Sequence, residues 1–237
     1  ISSVTVFQNK DDIEFLRQKK IVKEKKSHLI KSSGIDTNFF RFKRGKIKKS
    51  ILHNRKQVNI ILISRLLKSK GIIEYCKIAQ SIKKKYPQII FNLVGDYQHN
   101  SADSIDANTI ESYSKYINFL GKRSDIKSLL KMSDIMIFPS KYPEGVPRAL
   151  LEGASMGLPL IAFKNPGSNE VVFDDVNGFL IDSDYQYSLQ NSLLKILNDP
   201  KLYNYFSYNS RRIAVKNFDL KIIASQYLTL YRSYLTS

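Results

Sequence analysis

The chain has 237 residues and a formal charge of +17 at pH 7, from 38 Lys and Arg against 21 Asp and Glu. Its composition, 43% hydrophobic and 25% charged, is typical of a globular protein and argues against a disordered, collagen-like or coiled-coil chain. A single cysteine, Cys76, excludes an intrachain disulfide, and no apolar run reaches the ~18 residues that a spanning helix needs.

The positive charge is concentrated in the first quarter of the chain. Residues 1–56 contain 16 basic and 5 acidic side chains, a net +11, and residues 57–237 contribute the other +6. Such an excess attracts phosphate groups, whether they belong to a nucleic acid, an anionic lipid or a nucleotide. A solvated, lysine-rich surface explains the same excess, so charge alone leaves these alternatives open.

The predicted elements before residue 57 are short. Val4–Phe7 is typical of a strand, and an acidic pair then opens a helix over residues 11–21, where carboxylates favour the positive helix end. Leu29–Lys31 indicates a second short strand. Arg41–Lys49 is basic without apolar periodicity, which predicts a linker or mobile loop.

From Val58 onward, apolar runs alternate with helical patterns. The runs are continuously apolar, which is typical of parallel strands covered on both faces, and six of them predict a doubly wound α/β sheet of the Rossmann type. The predicted strands are Val58–Ser64, Ile89–Val94, Ile117–Leu120, Ile135–Phe138, Leu158–Phe163 and Gly178–Ile181. The predicted helices are Gly71–Tyr86, Asp103–Tyr116, Asp125–Met132, Gly145–Met156, a turn at Glu170–Phe173, one marked by Leu189–Leu197, Pro200–Asn217 and Leu220–Leu235.

Ligands of such sheets bind in the loops that follow the strands. This rule singles out Ser64–Gly71, Gly95–Asn100, Gly121–Asp125 and Pro139–Arg148.

The last of these loops is the richest in chemistry. Glu144 precedes a predicted helix and Glu152 lies two turns inside it, about 12 Å of helical rise away. Gly145 lets a ligand approach the backbone, and the free N–H groups of the first turn form an anion site with the helix dipole. A carboxylate accepts two hydroxyls at once, which suits a ribose or a hexose. For either carboxylate alone, a helix cap or an exposed acid is the simpler explanation.

Two cations in the first loop, Arg65 and Lys70, are suited to a diphosphate, the arginine as a fork and the lysine as a point charge. In so basic a chain, two cations in one loop are also expected without a function. Asp96 follows Gly95 at a strand end, where it either faces the cleft or belongs to a turn.

Other common catalytic patterns are missing. The sequence contains no G-x-x-x-x-G-K-[ST] motif, no G-x-G-x-x-G after a strand and no G-x-S-x-G elbow. One cysteine and the scattered His28, His53 and His99 lack the spacing of a zinc site, and we expect these histidines at the surface.

Eight segments in order resemble the C-terminal, donor-binding domain of the retaining GT-B glycosyltransferases of family 4, the group 1 glycosyltransferases. Glu144–Glu152 matches the E-x7-E motif, and Ser64–Gly71 matches the G-R-L…K-G loop with Ser64 in place of glycine. Val94–Asp96 matches V-G-x-G without its second glycine. The resemblance covers about residues 5–235, and its other segments are Ser33–Phe40, Phe119–Gly121, Ser133–Ser140, Pro166–Glu170 and Asn177–Leu180.

The resemblance implies a catalytic set. Glu144 is expected to contact the donor sugar, and Arg65 and Lys70 to bind the diphosphate and stabilise charge on the leaving group. The implied chemistry is hexosyl transfer with retention, without a metal and without a cofactor. Preorganised cations beside a helix end stabilise the negative charge of a departing nucleoside diphosphate.

The resemblance also implies a donor-binding set. Glu152 is expected to hold the ribose hydroxyls, and main-chain groups of Gly145 and Val146 to join the diphosphate site. The loop carrying Arg123 is expected near the base, and we include Asp96 among the donor-binding residues.

Members of the family carry an N-terminal acceptor domain. By this resemblance, residues 1–50 are the tail of that domain and a linker, 51–218 are the donor-binding domain, and 219–237 are a helix that packs on the missing domain. The apolar face of that helix, from Ile223 to Tyr234, is therefore expected to be partly exposed. We expect this chain to bind donor and to transfer sugar poorly or not at all.

The implied partners are a nucleotide-sugar, with UDP favoured over GDP, and a glycan or polyprenyl-linked acceptor. The sequence looks most like enzymes of bacterial capsule, O-antigen or lipopolysaccharide synthesis. The expected location is the cytoplasm, with peripheral contact at the inner face of the cytoplasmic membrane as a further option.

Two alternatives remain at this point. A basic nucleic-acid-binding protein fits the charge, but the basic residues are not interleaved with aromatics in a known motif, so no nucleic-acid partner is expected. Another GT-B enzyme, such as a nucleotide-sugar epimerase, fits the fold, but the Glu144–Glu152 spacing favours the transferase.

Overall fold

The computed structural model describes residues 4–98, 100–182 and 185–235. His99, and with it one position of the predicted loop Gly95–Asn100, lies outside the described residues. Near the start of the chain, Thr5–Phe7 (β1) and Ser27–Leu29 (β2) pair in parallel as a separate two-stranded sheet, connected by a helix at Lys10–Gln18 (α1).

Six parallel strands form the main sheet of the described chain, in the order β5-β4-β3-β6-β7-β8. Strands β4 and β5 are therefore added on one side of β3, and β6, β7 and β8 on the other side. The boundary between β3 and β6 is the topological switch point of a doubly wound fold. The strands are β3 (Val58–Ile63), β4 (Ile89–Val94), β5 (Ile117–Phe119), β6 (Ile135–Phe138), β7 (Leu160–Phe163) and β8 (Gly178–Ile181).

Helices cover both faces of this sheet, and every residue of β6 and β7 is buried. Burial on both faces explains why these strands are continuously apolar in sequence. The helices are α2 (Ile51–Asn54), α3 (Ile72–Lys83), α4 (Ala107–Ser112), α5 (Ile126–Met132), α6 (Arg148–Ser155), α7 (Ser168–Val171), α8 (Tyr185–Asn198), α9 (Pro200–Asn217) and α10 (Leu220–Leu235).

A fully buried tyrosine joins α3 to the sheet. The Tyr75 hydroxyl donates to the carbonyl oxygens of Ile60, at 3.1 Å, and Asn92, at 2.9 Å. Its polar end is therefore satisfied inside the core, as a buried tyrosine requires. Burial raises the pKa of Tyr75 well above its usual value, so the hydroxyl stays protonated.

Several predicted elements differ at their ends, and one helix was missed. The strand predicted at Leu29–Lys31 is β2 at Ser27–Leu29, and the helix predicted to begin at Gly145 begins at Arg148. α1 ends at Gln18 because Lys20 adopts a left-handed backbone with φ 57°. The helix predicted over 103–116 shortens to α4, since Asp106 caps it by accepting from Thr109 N–H, and Asp103 bonds instead to the Ser69 N–H. α2 was not predicted.

The predicted loop Arg41–Lys49 contains no helix or strand. Arg44 anchors it, donating to the carbonyl oxygens of Met156, at 3.1 Å, and Leu130, at 2.9 Å. None of the helices within the described residues has the length and apolarity to cross a membrane.

A second, smaller core lies between α10 and the start of the chain. Ile223 and Leu230 of α10 are buried against Ile30, whereas Tyr231 and Tyr234 on the same helix remain exposed. Partial exposure of this helix face is thus observed.

Candidate functional site

The switch point places two charged side chains together. Lys70 belongs to the loop that follows β3, and Glu144 to the loop that follows β6, the neighbouring strand. Gly71 allows the two loops to approach, since its φ is 73° and a Cβ there would collide with the carbonyl oxygen of Pro139. The close approach therefore depends on the absence of a side chain at this position.

Lys70 and Glu144 form a largely buried ion pair. Lys70 Nζ lies 2.6 Å from Glu144 Oε1, with side-chain exposures of 5% and 23%. Ser140 Oγ donates to the same carboxylate oxygen at 3.2 Å, and Lys70 Nζ lies 4.8 Å from the centre of the Tyr142 ring. The ammonium is thus positioned at the carboxyl edge of the sheet, where it can compensate an anionic ligand.

The segment Glu144–Val146 is packed from two sides. On one side Gly167, with φ 87°, leaves no room for a Cβ against the Gly145 carbonyl oxygen. On the other side Gln8 Oε1 accepts from the Val146 N–H at 3.2 Å, and Asn9 Nδ2 donates to the Glu144 carbonyl oxygen at 3.2 Å. The backbone next to the helix α6 terminus is therefore held in one conformation.

Glu152 lies one turn into α6, because this helix begins at Arg148 and not at the predicted Gly145, and it is 8% exposed. Its Oε1 accepts from Arg148 Nε at 2.9 Å, and the Arg148 side chain is itself 72% exposed. Burial raises the pKa of the Glu152 carboxyl, and the interaction with Arg148 lowers it by less. A desolvated acid with one exposed counter-charge is characteristic of a binding site, because burial without a ligand is costly.

The other predicted site residues lie on flanking, more exposed loops. Arg65 is exposed after β3, and Asp96, after β4, pairs with Lys122 at 3.4 Å. Arg123 donates through Nε and Nη2 to the Asp125 carboxylate, each at 2.8 Å. This contact raises the pKa of Arg123 and lowers that of Asp125. The structure thus brings together Lys70, Glu144, Gly145 and Val146. It places Arg65, Asp96 and Arg123 on the loops after β3, β4 and β5, whereas Glu152 pairs with Arg148 inside α6.

Gln8 and Asn9 were not among the predicted site residues, and no role was predicted for Ser140 or Tyr142. Gln8 and Asn9 directly follow β1, just as the predicted loops follow their strands. The rule that ligands lie beyond strand ends would therefore have included them, had it been applied to the short first strand.

Three further features of the described residues bear on whether a second reactive site is present. The Cys76 thiol is buried, and burial raises its pKa to about 12, so it is not a thiolate at neutral pH. Across residues 4–98, 100–182 and 185–235, no group of three or more His, Cys, Asp or Glu is arranged to hold a metal ion. A cavity of about 440 Å³ between β2 and α10 is lined without Asp, Glu, Lys or Arg.

Curated relatives are found among bacterial glycosyltransferases. The chain is 32% identical over 232 residues to the N,N'-diacetylbacillosaminyl-diphospho-undecaprenol alpha-1,3-N-acetylgalactosaminyltransferase of Campylobacter jejuni, covering 95% of this chain and 59% of the relative. It is 31% identical over 193 residues to the UDP-Gal:alpha-D-GlcNAc-diphosphoundecaprenol alpha-1,3-galactosyltransferase of Escherichia coli, covering 79% and 49%. The chain thus spans about half the length of these relatives.

A solved structure confirms the fold. The crystal structure of Anabaena Alr3699/HepE in complex with UDP superposes with a TM-score of 0.84 at 23% identity, covering 98% of this chain and 64% of that one. The predicted α/β fold of the GT-B glycosyltransferases, with its doubly wound parallel sheet, is confirmed.

The family model for glycosyl transferases group 1 matches residues 43–213, which contain the main sheet and every predicted site residue. The predicted resemblance is thereby confirmed, and the chain belongs to the glycosyl transferases group 1 family.

Proposed function

We propose that this chain is the donor-binding portion of a retaining hexosyltransferase that uses a UDP-sugar. The observation that carries the proposal is the Lys70–Glu144 pair at the switch point, beside the start of α6. A cation, a carboxylate and free N–H groups at one sheet edge suit a ligand with a diphosphate and sugar hydroxyls.

The proposed chemistry moves a glycosyl group from the diphosphate to an acceptor hydroxyl. The bond between the anomeric carbon and the diphosphate oxygen breaks, a bond to the acceptor oxygen forms, and UDP and a proton are released. Lys70 and Arg65 stabilise the charge that builds on the departing diphosphate, so the reaction needs no metal ion. Glu144 orients the sugar and Glu152 the ribose, each by accepting hydroxyl hydrogen bonds.

The remaining donor-site residues are assigned by their place on the sheet edge. The Gly145 and Val146 main chain contributes to the diphosphate site. Asp96 and Arg123, on the loops after β4 and β5, lie toward the nucleoside. Arg123 reaches the base only after its contact with Asp125 opens or shifts.

We further propose a role in bacterial surface polysaccharide synthesis, with a glycan or polyprenyl-linked acceptor. The support is that both relatives described above carry a diphospho-undecaprenol acceptor in their names. An acceptor of that kind would place the enzyme in the cytoplasm, at the inner face of the membrane. The basic segment Arg41–Lys49 would favour contact with anionic lipid.

The proposed domain organisation has residues 1–50 as the end of an acceptor domain and linker, 51–218 as the donor domain and 219–237 as a helix on the acceptor side. Its support is the second core, in which Ile30 packs with Ile223 and Leu230, outside the core of the main sheet. On this division the chain by itself binds donor and transfers sugar poorly.

Calorimetric titration of the chain with UDP, GDP and ADP tests the proposal. We expect saturable binding of UDP, weaker binding of GDP and ADP, and loss of UDP binding in Glu152→Ala. Glu111→Ala, which removes an exposed carboxylate from α4, is the matched control and should bind UDP as the wild type does. A folded wild-type chain that binds no nucleotide would contradict the proposal, and salt-dependent RNA binding unaffected by UDP would favour the nucleic-acid alternative.

A further inference from the structure

We propose that Gln8 is a donor-site residue whose carboxamide occupies the Val146 N–H until an oxygen of the donor replaces it. This inference rests on the proposed function, because it concerns the same site. It adds a residue from the first strand segment, by which we mean residues 5–31 from β1 to just after β2, and this segment lies outside the region that the family model matches.

The geometry of the Gln8 carboxamide carries the proposal. Gln8 Oε1 accepts from the Val146 N–H at 3.2 Å, and the carboxamide lies directly over Gly145. A Cβ at Gly145 would collide with Gln8 Oε1, so the missing side chain of Gly145 is what lets this oxygen approach the backbone. The Gln8 oxygen thus occupies the position at the Val146 N–H that we assign to an oxygen of the bound donor.

The anchor of this segment is Asn9 and not Gln8. Asn9 is completely buried: its Oδ1 accepts from Asp12 N–H at 2.8 Å, and its Nδ2 donates to the Glu144 carbonyl oxygen at 3.2 Å. An ion pair between Lys31 and Glu170, at 2.5 Å, attaches the same segment to α7. Gln8 can therefore move without releasing the segment from the loop.

The relative strength of the two acceptors determines the exchange. Val146 N–H lies just before α6, at the positive end of the helix dipole, where an anionic oxygen binds more strongly than a neutral amide oxygen. A phosphate oxygen is therefore able to displace Gln8 Oε1. The released carboxamide has both a donor and an acceptor to offer to the bound nucleotide-sugar.

Titration with UDP at constant ionic strength tests this inference with two variants. Gln8→Ala removes the competing acceptor and should tighten UDP binding about fivefold, which corresponds to about 1 kcal/mol for one neutral hydrogen bond. Gln8→Glu places a carboxylate at the same N–H and should weaken UDP binding at least tenfold through stronger competition and charge repulsion. Gln226→Glu adds the same charge at an exposed position of α10 and should leave UDP binding unchanged.

Amide hydrogen exchange of Val146, followed by NMR, supplies a readout that does not depend on affinity. The amide should exchange faster in Gln8→Ala than in the wild type, and UDP should bring the exchange in both proteins to the same low rate. Unchanged or weaker UDP binding by Gln8→Ala overturns the inference and leaves Gln8 as a structural contact. In that event the wild type and Gln226→Glu still bind UDP and the proposed function stands, whereas absence of UDP binding by the wild type overturns both.

Discussion

Neutralising Glu144 is expected to destabilise the protein markedly, because it removes the counter-charge of the largely buried Lys70 side chain. Glu144→Gln retains an oxygen that can accept from Lys70 and from Ser140, so the change removes charge and little else. The Lys70 side chain is only 5% exposed, and water cannot replace the lost carboxylate fully.

The magnitude follows from the 2.6 Å separation of Lys70 Nζ and Glu144 Oε1. At an effective dielectric constant of about 20, the gross attraction is roughly 6 kcal/mol, much of which offsets desolvation of the two ions. Removing one partner of a buried pair costs about 3–5 kcal/mol, and the retained hydrogen bond places Glu144→Gln near the lower end. At about 2–4 °C per kcal/mol for a chain of this size, Tm should fall by about 6–12 °C.

Urea denaturation and thermal melting measure this loss. The double variant Glu144→Gln with Lys70→Met removes both charges and should recover most of the stability. Asp125→Asn removes one charge from an exposed ion pair and should have the same Tm as the wild type. UDP should raise the Tm of Glu144→Gln more than that of the wild type, since phosphate replaces the missing counter-charge at Lys70. A Tm of Glu144→Gln equal to that of the wild type would refute the reasoning.

Three further predictions concern pH, backbone and metal. Burial raises the folded-state pKa of Glu152, so its charge destabilises the fold at high pH and ceases to do so as pH falls below the unfolded value of 4.5. Glu152→Gln should therefore have a higher urea midpoint than the wild type at pH 8, with the difference shrinking toward pH 4; a constant difference would contradict this. Gly167→Ala should lower the free energy of unfolding by about 1–3 kcal/mol in urea titrations, because φ is 87° at this position and the Cβ of the new alanine would collide with the Gly145 carbonyl oxygen. A variant as stable as the wild type would show that the loop relaxes. UDP affinity should be the same in excess EDTA and in Mg²⁺, and a tenfold loss in EDTA would show that a metal ion shares the diphosphate site.

The main sheet could be predicted because its physical signal is local. Strands buried on both faces must be apolar at every position, so β6 and β7 are visible as continuous runs between glycines and prolines. The helix over 103–116 was predicted too long because Asp103 and Asp106 choose between helix and loop through their side-chain hydrogen bonds. That choice depends on Ser69, a residue more than thirty positions away.

Part of the candidate site followed from the same reasoning. Lys70 and Glu144 were predicted because each lies in the loop that follows a strand, and adjacent parallel strands bring such loops to one edge. Their pairing at 2.6 Å was not predicted, since it depends on the close approach that Gly71 permits. Gln8 and Asn9 follow β1, so the same strand-end rule would have included them, but no local pattern records their contacts with the loop, which span 138 and 135 residues.

These long-range contacts connect the first strand segment mechanically to the proposed donor site. Separating the two requires breaking the Gln8 and Asn9 hydrogen bonds to the loop, about 1–3 kcal/mol for two neutral bonds, and then the Lys31–Glu170 ion pair. A donor phosphate that displaces Gln8 supplies a comparable free energy at the first of these contacts. Because the Asn9 and Lys31 contacts persist in that exchange, the segment remains attached while its nearest side chain is released. In the exchange that we propose, donor binding would therefore alter what the first strand segment presents to an acceptor without a separation of the two sheets.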